Sequence, residues 1–147
     1  MSWQTLILFV HIIAACVWIG GQITIAAVIP ALRTHPELTS IIGRRFQILA
    51  WTAFGVLILT GVGNVLGLGM GWSDLTTTSQ GRLLLDKLGL VLLSGGAATL
   101  HSLILAPRQR TRVSRHALSA SSAILGSASL LAALGAALYG VVIARAG

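Results

Sequence analysis

Acid and thiol are what this sequence has least of: three carboxylates, Glu37, Asp74 and Asp86, and one cysteine, Cys16, in 147 residues. So few acids exclude a cation or proton pump built on paired carboxylates, and leave no carboxylate cluster for a metal. A lone thiol excludes an intrachain disulfide and any multi-cysteine zinc or iron–sulfur framework; Cys16 reads as a small buried hydrophobe. No nucleophile–histidine–acid set and no phosphate-binding glycine loop is present, so hydrolysis has no support. Met1-Ser2-Trp3-Gln4 supplies no positive leader, and the apolar run behind it is too long for a signal peptide's core, so no cleavage is expected. Charged residues make up only 9% of the chain, where a soluble domain carries about a quarter.

Apolar residues fill that space. They form 55% of the chain, and the mean hydropathy is +0.90. Four stretches run long enough without charge to cross a bilayer: about 5–29, 46–69, 83–105 and 117–144. Asp86 and Lys87 fall early in the third, where they can face the interface or a cavity. Pro30 closes the first stretch and Pro107 follows the third. A chain in lipid must satisfy its own backbone hydrogen bonds, so the spans are helices. The expected fold is all-α: a four-transmembrane-helix bundle forming one integral membrane domain over residues 1–147. Glycines 63, 67 and 71 and the pair Ser122 and Gly126 are spaced by four, which lets helix backbones approach closely. The same spacing leaves room for a homo-oligomer.

The net charge of +7 is a topology signal rather than a nucleic-acid footprint. Arg33, Arg44 and Arg45 lie between spans one and two; Arg108, Arg110, Arg112 and Arg115 lie between spans three and four. Only Arg82, Lys87 and Arg145 fall on the other side. Basic residues stay in the cytoplasm, so both termini are expected outside a bacterial inner membrane that the chain crosses several times.

An imidazole within a membrane span needs a partner or a purpose. His11 lies roughly 9 Å below the outer boundary at 1.5 Å of rise per residue, and His101 near the cytoplasmic end of span three, roughly 20 Å deeper. An outer layer can draw on His11, Asn64, Met70, Asp86, Lys87 and Tyr139; an inner layer on His101, Arg44, Arg45 and Arg108. Trp18, Gln22 and Trp51 lie between. Each has a plainer alternative. Either histidine can simply bond a neighbouring helix, Asp86 and Lys87 can pair at the interface, Lys87 can snorkel to water, and Asn64 can bond between helices. Trp18 needs an indole partner, while Trp3, Trp51 and Trp72 suit interface belts or packing. His35 and His116 belong to the basic loops. Cys16 lies about 140° round the helix from His11 and so faces elsewhere.

Several stretches resemble the CopD (copper resistance D) family of bacterial membrane proteins. They are His11 through Trp18-Ile19-Gly20-Gly21, Arg44-Arg45-Phe46-Gln47-Ile48-Leu49-Ala50-Trp51, Leu59-Thr60-Gly61-Val62-Gly63-Asn64, Lys87-Leu88 and Leu105-Ala106-Pro107-Arg108. The resemblance implies a helical membrane domain for copper uptake or tolerance, working beside a periplasmic copper-binding partner. Full-length members carry more spans. His101 stands where many relatives have asparagine. A more distant similarity, through span one and an early lysine in span three, is to HemJ-type protoporphyrinogen oxidases, which bind haem b. That pattern has a histidine higher in span three, where this chain reads Gly95-Gly96-Ala97-Ala98.

Three readings stay open. In a copper-handling protein, His11 and Met70 form an outer copper site and His101 a separate inner ligand. In a haem-b redox protein, His11 is an axial ligand, Lys87 meets a carboxylate, and His101 is a further cofactor-binding candidate. In a cofactor-free subunit surrounded by membrane lipid, His11 is only an interhelical hydrogen-bonder. The charge asymmetry makes its own prediction. An alkaline phosphatase fused after residue 147 is active, and one fused between residues 33 and 45 is inactive; the reverse pattern overturns the orientation.

Overall fold

The structure, a computed structural model, describes residues 2–28, 30–32, 35–69, 71, 73–105 and 115–146, without the side chains of 36, 104, 105, 115–120 and 146. Five helices follow one another: α1 (Trp3–Val28), α2 (Pro36–Gly67), α3 (Asp74–Thr77), α4 (Ser79–Leu105) and α5 (Arg115–Ala146). There is no strand among the described residues. All but α3 are long and apolar enough to cross a membrane. The chain is therefore an all-helical membrane protein. It divides into two compact units, residues 1–71 and 72–147. The first is the antiparallel hairpin of α1 and α2, and the second that of α4 and α5 with α3 packed on α4.

Helix ends differ from the sequence expectation where water supports the helix. α2 begins ten residues before the expected span, so Arg44 and Arg45 are helical rather than loop residues. Pro36 in the first turn and Glu37 beside the positive helix end favour that early start. At its other end Gly69 takes φ of 64°, and the amides of Leu68 and Gly69 return to the carbonyls of Val65 and Leu66. A left-handed residue there stops the helix with its last carbonyls satisfied. α4 starts at Ser79, four residues early, through the polar turn Ser79-Gln80-Gly81-Arg82. Gly81 is what admits α3, since a Cβ there would overlap the Asp74 carbonyl and the Leu75 backbone.

Each hairpin is joined along one seam of residues three and four apart. On α1 the seam is Gln4, Ile7, His11, Ala14, Trp18 and Gly21; on α4 it is Lys87, Leu90, Ser94, Ala97 and His101. Large side chains on one helix meet glycine on the other. Gln4 lies on Gly67, Ile7 on Gly63, His11 on Gly61 and Phe46 on Gly21. In the second hairpin Lys87 lies on Gly140, Leu90 on Gly135 and His101 on Gly126. The spacing of Gly63 and Gly67 thus does what the sequence suggested, and so does that of Ser122 and Gly126.

The buried residues are small: Ala14, Ala50 and Ala53 in one unit, Ala97, Ala132, Ala133 and Ala136 in the other. Large apolar side chains point away, with Leu59 at 75%, Leu66 at 76% and Leu92 at 74% exposure. This inverts the arrangement of a soluble protein and suits a lipid surround, where burying leucine between helices gains little. The large exceptions are Leu84, 6% exposed, and Trp18. Trp18 is 4% exposed, and its rings find aromatic partners in Phe54 at 4.7 Å and Trp51 at 5.9 Å. Trp51 is therefore a packing residue rather than part of an interface belt.

The second seam carries a reciprocal clasp. Ser94 Oγ donates to the Ser129 carbonyl at 2.9 Å and Ser129 Oγ to the Ser94 carbonyl at 3.0 Å, both residues 1% exposed. Because each hydroxyl also finds lone pairs on its own helix, the interhelical bonds are worth only about 0.6 kcal/mol each. Close fit matters more. Ser129→Ala should lower stability by about 0.6 kcal/mol, and Ser129→Leu by about 2 kcal/mol through overpacking. Unfolding of the purified protein by steric trapping in bicelles checks both; equal losses would show that the hydroxyl, not the fit, controls the seam.

Candidate functional site

Two histidines singled out in the sequence occupy the seams, each bonded through the same ring nitrogen. In the first hairpin His11 Nδ1 lies 2.8 Å from Thr60 Oγ1. Thr60 is itself turned back on its helix, with Oγ1 donating to the Val56 carbonyl at 2.6 Å. A threonine has one hydroxyl proton, so that proton is committed and Thr60 can only accept from the ring. Nδ1 therefore carries hydrogen, and in the neutral ring the lone pair falls on Nε2. This is the arrangement by which a second group fixes the tautomer of a metal-binding histidine. The ring lies beside Gly61, where a Cβ would stand in ordinary contact at 3.5 Å from His11 Cε1.

His101 repeats the pattern in the second hairpin. Its Nδ1 donates to the Ser122 carbonyl at 2.9 Å, with Ser122 Oγ at 3.3 Å. A carbonyl only accepts, so again Nδ1 holds the proton and the neutral ring's lone pair falls on Nε2. The ring lies over Gly126 on α5. His11 stands at the end of its hairpin where α1 begins and α2 ends. His101 stands at the end where α4 finishes and α5 begins.

The remaining candidates divide by position. Lys87 crosses the second seam to Gly140, where a Cβ would meet its Nζ at 3.2 Å. It does not pair with Asp86: neither residue makes an ion pair or hydrogen bond among the described residues. The two charges point to different sides of α4. Asn64 is half-buried on α2, one turn beyond Thr60. Cys16 is exposed on α1, away from the seam. His35 lies at a helix start with Glu37 Oε1 3.6 Å from its Nδ1, as a solvated loop residue would. Met70, Trp72, Arg33 and Arg108 lie outside the described residues. No group of three or more histidine, cysteine, aspartate or glutamate residues converges among the described residues.

Two comparisons bear on what this geometry serves. The model of the family described as copper resistance protein D, CopD, matches residues 41–145, which takes in almost all of α2 and everything through α5. The chain belongs to the CopD family. This CopD chain is also 32% identical over 109 residues to the copper transport protein CutJ of Bacillus subtilis (strain 168). The alignment covers 73% of the chain but 20% of CutJ, so the chain spans about a fifth of that relative's length. No solved structure matches it.

The stretch Gly95-Gly96-Ala97-Ala98, where the haem-binding pattern has histidine, is closed in this CopD chain. Ala97 is buried against α5 one turn from the Ser94–Ser129 clasp.

The hydrogen-bond direction at His11 is open to test. Nitrogen-15 histidine spectra of the whole protein in micelles should show His11 protonated at Nδ1, and Thr60→Val should shift the ring toward the Nε2-protonated form. A wild-type His11 protonated at Nε2 would reverse the assignment.

Proposed function

We propose that this protein takes copper into or through a bacterial inner membrane, with His11 as its first ligand on the outer side. Membership of a copper-resistance family and similarity to a copper transport protein support the copper part of this reading. The observation that carries the site is the His11–Thr60–Val56 chain of hydrogen bonds, which holds one imidazole in a ligand-competent tautomer within a membrane span. Cuprous ion accepts imidazole and thioether ligands, and Met70 comes three residues after the last residue of α2 in the sequence. With basic connections on the cytoplasmic side, His11 lies toward the outside and His101 toward the inside. His101, fixed by Ser122, then serves as a separate inner ligand rather than a second ligand to the same ion. A periplasmic copper-binding protein would deliver the ion to the outer end.

Copper titration of the purified protein tests this. Wild type should bind copper stoichiometrically, and His11→Ala should lose the outer ion. Thr60→Val, which keeps the shape but releases the ring, should weaken binding about tenfold, while Thr60→Ser should hold it. Copper binding unchanged in His11→Ala removes the site. A Soret band that depends on His11 would replace the copper reading with the haem one.

A further inference from the structure

Asp86 and Lys87 are not used by the copper reading, yet they place two opposite charges inside a membrane helix. The polar first turn of α4 ends at Arg82 and apolar residues begin at Leu83, so both lie about 5 Å into the apolar run by helical rise. Ionisable groups at such depth are rare without a task. Neither makes an ion pair or hydrogen bond among the described residues, and they do not pair with each other. Lys87 crosses to Gly140 on the seam, while Asp86 lines an open groove of about 490 Å³. Leu85, Gly89, Leu90, Leu93 and Tyr139 complete its lining. The polar groups, Asp86 and the Tyr139 phenol, stand toward the membrane surface. Leu90 and Leu93 continue along α4 toward the bilayer centre.

We infer that this groove on the α4–α5 hairpin binds one zwitterionic phospholipid whose head carries a primary ammonium, as phosphatidylethanolamine does. The carboxylate of Asp86 matches the positive end of that head and the phenol of Tyr139 its phosphate. Asp86 accepts hydrogen bonds from the ammonium, and the Tyr139 hydroxyl donates to the phosphate; Lys87, on the seam at Gly140, takes no part in the groove. An acyl chain lies along Leu90 and Leu93 over Gly89. The carboxylate selects the headgroup, because a quaternary ammonium has no N–H to donate and an anionic glycerol head would be repelled. The volume is too large and too open for a bare ion, and the gradient from charged to apolar fits an amphiphile lying in the bilayer.

Gly89 gives a clean test, because a Cβ added there meets nothing within 4 Å. Gly89→Leu carries a side chain into the groove from a position where its Cβ has open space. The full-length protein is mixed with equimolar phosphatidylethanolamine, phosphatidylcholine and phosphatidylglycerol of one chain composition, and retained lipid is read by native mass spectrometry. One phosphatidylethanolamine per chain is expected, favoured about tenfold over phosphatidylcholine, as a charge-assisted hydrogen bond gives. Asp86→Asn should erase that preference, Tyr139→Phe should weaken both zwitterionic lipids, and Gly89→Leu should remove the retained lipid with helix content unchanged. Equal retention of the three lipids by wild type, a preference for phosphatidylglycerol, or a preference that survives Asp86→Asn and Gly89→Leu each overturns the proposal.

Discussion

In water a helix hairpin closes because apolar side chains leave the solvent; in lipid that drive is gone, and the helices must instead fit. Contact between two apolar faces gains nothing over contact with acyl chains, so what joins α1 to α2 and α4 to α5 is close approach and interhelical hydrogen bonding. Close approach requires that a large residue on one helix meet almost nothing on the other. The seams meet that requirement residue by residue, with Ile7 on Gly63, Phe46 on Gly21, Leu90 on Gly135 and His101 on Gly126. Alanine and serine fill the positions between, which is why the buried list is so short of leucine. Everything polar in the spans is placed by this fit.

The histidines show how. Each imidazole lies on a seam beside a glycine of the opposing helix, His11 by Gly61 and His101 by Gly126. Once there, its bonding is decided by what the opposing helix can accept. Thr60 has turned its proton to Val56, and the Ser122 carbonyl has none to give, so two different partners impose the same tautomer. The common result is a ring nitrogen lone pair directed away from the bond that fixes the ring. A structural histidine would meet its obligations with the first hydrogen bond alone. That both meet it with Nδ1 keeps the atom most often used toward metals in the form that can bind one.

Much of this was legible in the sequence. Charge-free length located four spans because the bilayer leaves few alternatives to a helix, and the glycine and serine spacing located parts of both seams. His11 and His101 stood out because an imidazole among Val10, Ile12 and Ile13, or among Leu100 and Leu103, demands an explanation. What the sequence did not show depends on pairing across the hairpin. Thr60 looked like one more residue in Leu59-Thr60-Gly61, and Ser129 like one more small residue in a helix full of them. Seam register, fixed only when α1 meets α2, makes Thr60 the partner of His11. The early start of α2 was hidden for a different reason: Arg44 and Arg45 mark where the membrane ends, not where the helix does. Of the alternatives for Asp86 and Lys87, pairing with each other is not what forms, because neighbours in sequence are 100° apart on a helix and face different surroundings.

The same geometry separates what the two hairpins are suited to. The first has an imidazole between the apolar seam residues Ile7 and Ala14, held and oriented by the Thr60 hydroxyl. The second has its seam closed through the middle by the Ser94–Ser129 clasp and by alanine, so nothing can pass between α4 and α5 at that level. Its charges are therefore confined to the end where α4 begins, one on the seam and one on the outer groove. A lysine on the seam cannot be traded for leucine without losing the reach of its ammonium to Gly140, while the aspartate stands exposed on the groove. A carboxylate kept against the desolvation of a membrane interior makes sense when the surroundings supply a countercharge, which is a property of headgroups and not of hydrocarbon.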